Sequence, residues 1–397
     1  MPQPTSKDSP VGERLQEIRK RRGMSQRDVA TASGVSLSTI RKLEQDDYGS
    51  TPRMETVRAL AVALGVPTTR LLGADRETPG ATPAVADRWA PVRAALDTPS
   101  GESVEDAPTV AGVRAAVTAA LPLAAGDRLD ELGSVLPALL RDAAAVADDP
   151  AGRRVHAELL GLTGWMFTQT RQFDAADAAL SRALDGAADD IGAASAVSTR
   201  CWLLLRRGRI EAAGRLAEEW ADRIEPRMSR ATPGELAAWG WLLLRGAAAA
   251  DRDGRPDDAE GMLRLAGSAA AAIGPRPIPG SFLRAYDART VQLKAAEHAM
   301  ISDRPDEVLR LSATISWDGM RPTSNNLNRN RLDQASARVR LRQYADAVDM
   351  LETVWQAAPQ WLPHQQYARD ILGQVVAKRR TLTPRMRVLA DAVALPM

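Results

Sequence analysis

Cysteine is almost missing: Cys201 is the single one in 397 residues, which excludes a disulfide within the chain and fits a reducing cytosol. Aromatic residues make up only 4%, whereas Ala, Leu and Arg dominate, a mixture that favours helices over sheets. Long apolar runs are also lacking. The best candidate, LAAWGWLLLRGAAAA, is interrupted by Arg245 and is too short for a bilayer. The opening MPQPTSKDSP has no apolar stretch and does not read as a signal peptide. A soluble, cytoplasmic protein with no membrane partner is the expectation.

Chemistry-bearing patterns are scarce too. The three histidines, His156, His298 and His364, lie far apart and lack metal-ligand spacing. There is no glycine loop of the Walker or dinucleotide type. Cys201 sits among apolar residues and reads as buried packing. The acid pairs Asp189 with Asp190 and Asp257 with Asp258 read as caps or solvated turns. No catalytic residue, no metal site and no cofactor is expected, and the chain does not read as an enzyme.

What is present begins with charge. The formal net charge is only +2, but residues 1–73 hold twelve Lys and Arg against eight Asp and Glu. That segment is therefore +4 and the remainder −2, and an excess of cations is what phosphate contact requires. Within it lies SQRDVATASGVSLSTIRKLEQ, residues 25–45. Ser25 is a good N-cap with Asp28 three residues on, as in a capping box. Gly34 supplies the backbone freedom of a sharp helix-to-helix turn, and Ser36 caps a second helix. Ala30, Gly34, Val35, Ile40 and Leu43 have the spacing of a helix-turn-helix, whose second helix enters the DNA major groove.

Residues 11–73 resemble the Xre/Cro-type helix-turn-helix of phage repressors and many bacterial regulators. LQEIRKRRGMSQRDVA, SGVSLSTIRKLEQ and TPRMETVRALAVALGV carry the resemblance without a gap through three helices. Ser33 departs from it, standing where the family more often has an apolar residue and weakening the packing slightly. The resemblance implies an all-α, five-helix, lambda-repressor-like domain over residues 10–73, after a disordered arm at residues 1–9. Its motif places Leu37, Ser38 and Lys42 at base-reading positions and Thr39 at base or phosphate. Lys42 suits guanine O6 or N7, and Leu37 a thymine methyl. Gln26 takes the place of the family's phosphate-binding glutamine. Arg19, Ser36, Arg41 and Arg53 are further phosphate candidates.

Residues 74–108 are rich in Pro, Gly, Ser and Thr and read as a linker. Its VADRWAPVRAAL fits a short helix around Trp89, either docked with the tryptophan in a groove or making a dimer contact. From residue 109 to 397 the pattern is helical and repetitive. Five segments open on a small residue: Gly164, Cys201, Ala247, Ala296 and Ala335. Nine residues later come Phe173, Ile210, Pro256, Pro305 and Tyr344, and three further on Ala176, Ala213, Ala259, Val308 and Ala347. Small residues where two helices cross, and a larger one pinning the turn, explain the pattern. The intervals between pinning residues are 37, 46, 49 and 39. Residues 365–379 with 384–393 are expected to cap the last apolar face.

These segments resemble degenerate tetratricopeptide (TPR) repeats, which implies a right-handed TPR-like α-solenoid. By that resemblance Trp165, Trp202, Trp241, Arg245, Lys294 and Arg329 face the groove, with Arg206 nearby. Tryptophans with cations suit a peptide, although tryptophans at this spacing equally serve a core. Asn326 and Asn330, in an Asn-rich run, suit either ligand amides or a loop and helix cap. The order of domains resembles bacterial regulators that sense secreted signal peptides in the repeat groove, with no diagnostic groove motif to match. The reading is a transcriptional regulator that binds a palindromic double-stranded operator as a homodimer. Its repeats would sense a peptide, small molecule or protein. The alternative is a protein-interaction scaffold with an accessory DNA-binding head.

Overall fold

The computed structural model describes residues 11–45, 52, 54–64, 66, 71, 87–97, 107–274, 276, 278, 283–315, 324–379 and 381–395. All regular structure among them is helical. The first elements are α1 (Val11–Arg21), α2 (Gln26–Ser33), α3 (Leu37–Glu44), α4 (Met54–Ala63) and α5 (Ala90–Asp97). Then come α6 (Val110–Ala125), α7 (Leu129–Ala145), α8 (Pro150–Gln169), α9 (Phe173–Asp185), α10 (Asp190–Arg206), α11 (Ile210–Arg223), α12 (Pro233–Arg252) and α13 (Pro256–Ile273). The last are α14 (Ala288–Ile301), α15 (Pro305–Ala313), α16 (Ser324–Arg340), α17 (Tyr344–Ala357), α18 (Gln366–Ala377) and α19 (Pro384–Ala392). No described helix is long and apolar enough to cross a membrane.

The chain falls into two compact units, residues 1–86 with 366–397, and residues 87–365. In the first, Leu15, Ile18, Val29, Ile40, Leu43 and Leu60 close one core with Leu64 and Leu71. Leu71 is buried, but the rest of the expected fifth helix lies outside the described residues, as do the arm at residues 1–9 and Arg53.

These units depart from the expected boundaries at both ends. The linker was expected to run to residue 108, but the second unit starts at Asp87 because α5 packs on α7. Trp89 is buried, and a Cβ at Gly133 would lie 2.7 Å from its ring. Arg93 donates to Gln172 Oε1 at 2.7 Å, and Arg182 to the Leu96 carbonyl at 2.5 Å. Of the two readings of Trp89, the structure has the docked one. At the other end, α18 and α19 group with the first unit rather than with the repeats.

In the second unit, helices pair in sequence from α6 to α17. The small residues of the repeat, Gly164, Cys201, Ala247, Ala296 and Ala335, are buried, and so are Ala176, Ala213, Ala259, Val308 and Ala347. A Cβ on Gly164 would come within 2.5 Å of Leu180 Cγ, so the crossing of α8 with α9 leaves no room for a methyl. First helices of successive pairs, α8, α10, α12, α14 and α16, also pack on one another. That continuity makes the stack a solenoid.

Six turns share one device. The residue two before each second helix has a positive φ: Asp127, Arg171, Gly208, Gly254, Asp303 and Arg342. The next residue donates its N–H to the carbonyl five back, from Arg128 to Leu123 through Gln343 to Arg338, at 2.8–2.9 Å. This satisfies the last carbonyls of the first helix as a Schellman-type cap does. Only two of the six are glycines, although the left-handed region disfavours a side chain by about 1–2 kcal/mol. Arg342→Gly is therefore expected to stabilise the chain by roughly 0.5–1 kcal/mol in denaturant unfolding, after the extra freedom of the unfolded glycine is subtracted. An unchanged or lowered midpoint would show that the arginine is unstrained.

Candidate functional site

Local hydrogen bonds build the helix-turn-helix. Ser25 Oγ accepts from the Asp28 N–H at 3.1 Å, and Asp28 Oδ2 accepts from the Ser25 N–H at 2.7 Å. Those bonds hold the Asp28 carboxyl below its ordinary pKa. Gly34 closes α2 at φ 71° with nothing near its open side. Ser33, the residue without an apolar side chain, bonds on both sides of this turn. Its Oγ donates to the Val29 carbonyl at 2.6 Å and accepts from the Val35 N–H at 3.2 Å.

Ser36 caps α3, accepting from the Thr39 N–H at 3.1 Å. Its hydroxyl also bonds those of Ser38 and Thr39, at 2.9 and 2.8 Å. Ile40 and Leu43 turn inward, leaving Ser36, Ser38, Arg41 and Lys42 exposed and Leu37 and Thr39 half-buried. The leading edge of α3 thus presents hydroxyls and two cations on a helix fixed from behind.

Arg19 departs from its expected role. Its Nε and Nη2 meet the two oxygens of Glu44 at 2.6 and 2.7 Å, and Nη1 donates to the Met24 carbonyl at 3.0 Å. The Arg19 and Glu44 side chains are 6% and 1% exposed, so Arg19 locks α1 to α3 instead of reaching a phosphate. Gln26 Nε2 donates to Glu44 Oε2 at 2.8 Å, so the same carboxylate orients this half-buried amide at the start of α2. Sequence reasoning missed Glu44. The available signal was an unlike pair flanking two inner residues, Ile18 beside Arg19 and Leu43 beside Glu44. It also missed Gly12, where a Cβ would overlap the Leu43 carbonyl.

In the second unit, Trp165, Trp241, Arg245 and Asn326 come together around a cavity of about 90 Å³. The Arg245 guanidinium lies 5.2 Å from the Trp241 ring and 6.0 Å from that of Trp202, and its Nε donates to Ser198 Oγ at 3.2 Å. Arg206 lies 5.4 Å from the Trp202 ring and donates to Gln365 Oε1 at 3.0 Å. Burial lowers both guanidiniums, to about 10 for Arg245 and about 9 for Arg206, so both stay charged at neutral pH. Trp165 and Trp202 are half-buried. Trp241 is 6% exposed and serves the core, with its indole N–H unpartnered among the described residues.

The remaining groove candidates divide. Lys294 pairs with Glu297 at 2.8 Å. Burial would raise the Glu297 carboxyl, but Lys294, Arg252 and Arg329 hold it well below its usual range. Nearby, burial pushes Asp333 up to about 7 against the pull of Arg329. Asn330 does not face the groove. It is 2% exposed, donating to Ser312 Oγ at 3.1 Å and accepting from Gln334 at 2.9 Å. The Asn-rich run forms the first turns of α16, with Asn325 and Asn326 at the cavity. Cys201 is buried, its thiol pushed up to about 12 by desolvation. No group of three metal-ligating side chains occurs among the described residues.

Removing one partner of a buried ion pair strands the other. Glu44→Ala in the full chain is expected to cost about 3–5 kcal/mol in the unfolding of the first unit. Urea titration followed by hydrogen exchange of the α1–α3 amides checks this, and a loss below about 1 kcal/mol would contradict it.

Residues 15–71 match the family model described as Helix-turn-helix (HTH_3). Over 66 residues the chain is 39% identical to a Bacillus subtilis (strain 168) protein named uncharacterized HTH-type transcriptional regulator RghRB. That stretch is 17% of this chain and 47% of the relative, so this chain spans about half the length of that curated relative. A crystal structure of Bacillus thuringiensis PlcR in complex with the peptide PapR7 and DNA covers 76% of this chain and 96% of that one, at 12% identity and a TM-score of 0.31. The N-terminal part of the chain is thus a helix-turn-helix domain of the Xre type, homologous over the matched stretch to a Bacillus regulator.

Proposed function

We propose that the protein is a cytoplasmic, sequence-specific transcriptional regulator that binds a palindromic operator as a homodimer. The observation that carries this reading is the exposed edge of α3, with Ser38, Arg41 and Lys42 outward and Ile40 and Leu43 locked in the core. A helix entering the major groove needs that division. Gln26 and Ser36, at the starts of α2 and α3, are placed for phosphates, with N–H groups at both helix ends to assist. One head offers few base contacts, so useful affinity calls for two heads on half-sites about one helical turn apart, or a multiple of it.

The repeat domain is read as the sensing part. Its cavity is lined by Arg245 and Trp241, whose buried indole N–H has no partner among the described residues, beside apolar Leu121, Leu162 and Leu283. A peptide, small molecule or protein segment carrying an acceptor group next to an apolar one fits that chemistry.

Selection of duplexes from random DNA by the full chain is expected to yield a two-fold sequence. Lys42→Glu should weaken binding to it by at least about tenfold without moving the melting temperature, and Gln26→Ala should weaken it similarly while lowering the melting temperature a little through the lost bond to Glu44. Wild-type affinity in both variants would remove the regulator reading, and a strict monomer that holds one half-site tightly would remove the dimer. For sensing, native mass spectrometry of freshly purified full chain should show a bound compound that Asn326→Leu releases. An adduct unaffected by that change would place the ligand elsewhere.

A further inference from the structure

The first unit contains more than the helix-turn-helix, because α18 and α19 belong to it. Arg369 Nε donates to the Val393 carbonyl at 2.8 Å, tying the two helices together. Thr383 caps α19, and Leu382, Met386 and Leu389 are buried. The Arg387 side chain lies against Gly23 in the α1–α2 turn, so close that a Cβ there would overlap it. The hairpin is thereby fixed beside Ser25 and Gln26, at the N-terminus of α2.

Between this hairpin and the helix-turn-helix runs an open cleft of about 760 Å³. Lys20, Arg27 and Arg41 line one side, and Lys378 and Arg379 line the other. Among the described residues that line it, Glu44 is the one acid, and it is already taken by Arg19. Among the described residues none of the other five cations is in an ion pair, although Lys20 feels the Glu17 carboxylate on its own helix. Lys378 and Arg379 follow the last turn of α18 and are exposed. Clustered cations repel one another, and an anion in the cleft relieves that cost. Gln26 and Leu37 line the same cleft, so an anion held there would adjoin the duplex that α3 would read.

The hairpin lies alongside the reading edge rather than over it. With α18 and α19 in place, Ser36, Ser38, Arg41 and Lys42 are still exposed. We propose that the α18–α19 turn is a second part of the DNA interface, with Lys378 and Arg379 holding the sugar-phosphate backbone of the duplex whose major groove α3 enters. The two ends of the chain then grip one strand from both sides of the α2 N-terminus. This rests on the DNA-binding reading above.

The test is a salt titration of DNA binding by the full chain and its double variant Lys378→Ala with Arg379→Ala. Each lost phosphate contact makes the plot of log K against log salt shallower by about 0.9, so the double variant should be shallower by about 2. The wild-type advantage should then shrink about tenfold between roughly 50 and 200 mM salt, equally on the selected operator and on an unrelated duplex. Arg215→Ala with Arg264→Ala, which removes the same charge from exposed positions on α11 and α13, should leave the slope unchanged. A wild-type slope in the Lys378 and Arg379 variant overturns the proposal, and so does tighter binding, which would mean that the turn competes with the duplex. If the wild-type chain binds no duplex, the regulator reading falls and takes this one with it, a result plainly different from an unchanged slope.

Discussion

Close approach of helix backbones, permitted by small side chains at the crossings, is the constraint on which both units depend. Alanines and leucines line most of the core, and buried rings such as Tyr286 and Trp89 fit where Gly240 and Gly133 leave room. Gly12 lets α1 come against the end of α3, Gly164 lets α8 cross α9, and Gly133 receives the ring of Trp89. Dispersion falls off steeply with separation, so one methyl at such a crossing forces the helices apart and loosens everything the contact aligns.

The electrostatics of the helix-turn-helix domain follow from that geometry. With α1 against α3, Arg19 and Glu44 meet in a fork of two short bonds, and the carboxylate has a lone pair left for Gln26. One acid thus orders three helices behind the reading edge. A phosphate contact from Arg19 would have to break this pair, which is why burial decides against the role its family position implies. Ser33 is a smaller case of the same logic. A hydroxyl in place of an apolar group forfeits little packing but ties the turn through two backbone bonds.

In the repeat unit, tryptophan and arginine line a cavity against the core. Trp241 is nearly enclosed and serves the core, while Arg245 stacks on it and lines the cavity. The phase of the repeat was legible because each hairpin needs a small residue at a fixed distance from the residue that pins its turn. The left-handed residue two positions before that pin was not, since Asp127, Arg171, Asp303 and Arg342 occupy it as well as Gly208 and Gly254. Chain geometry imposes that conformation, and a glycine is only one way to accept it.

Short-range forces are written along a chain and long-range pairings are not. The caps at Ser25 and Ser36, the inward stripe of Ile40 and Leu43, and the helical hairpins arise from hydrogen bonds and periodicities spanning a few residues, so the sequence by itself determined them. Where helices cross is set by the sum of many weak contacts between distant segments. Only the tertiary structure therefore decided that Arg19 meets Glu44 twenty-five residues on, that Asn330 turns to Ser312, and that the last two helices join the first unit rather than cap the repeats.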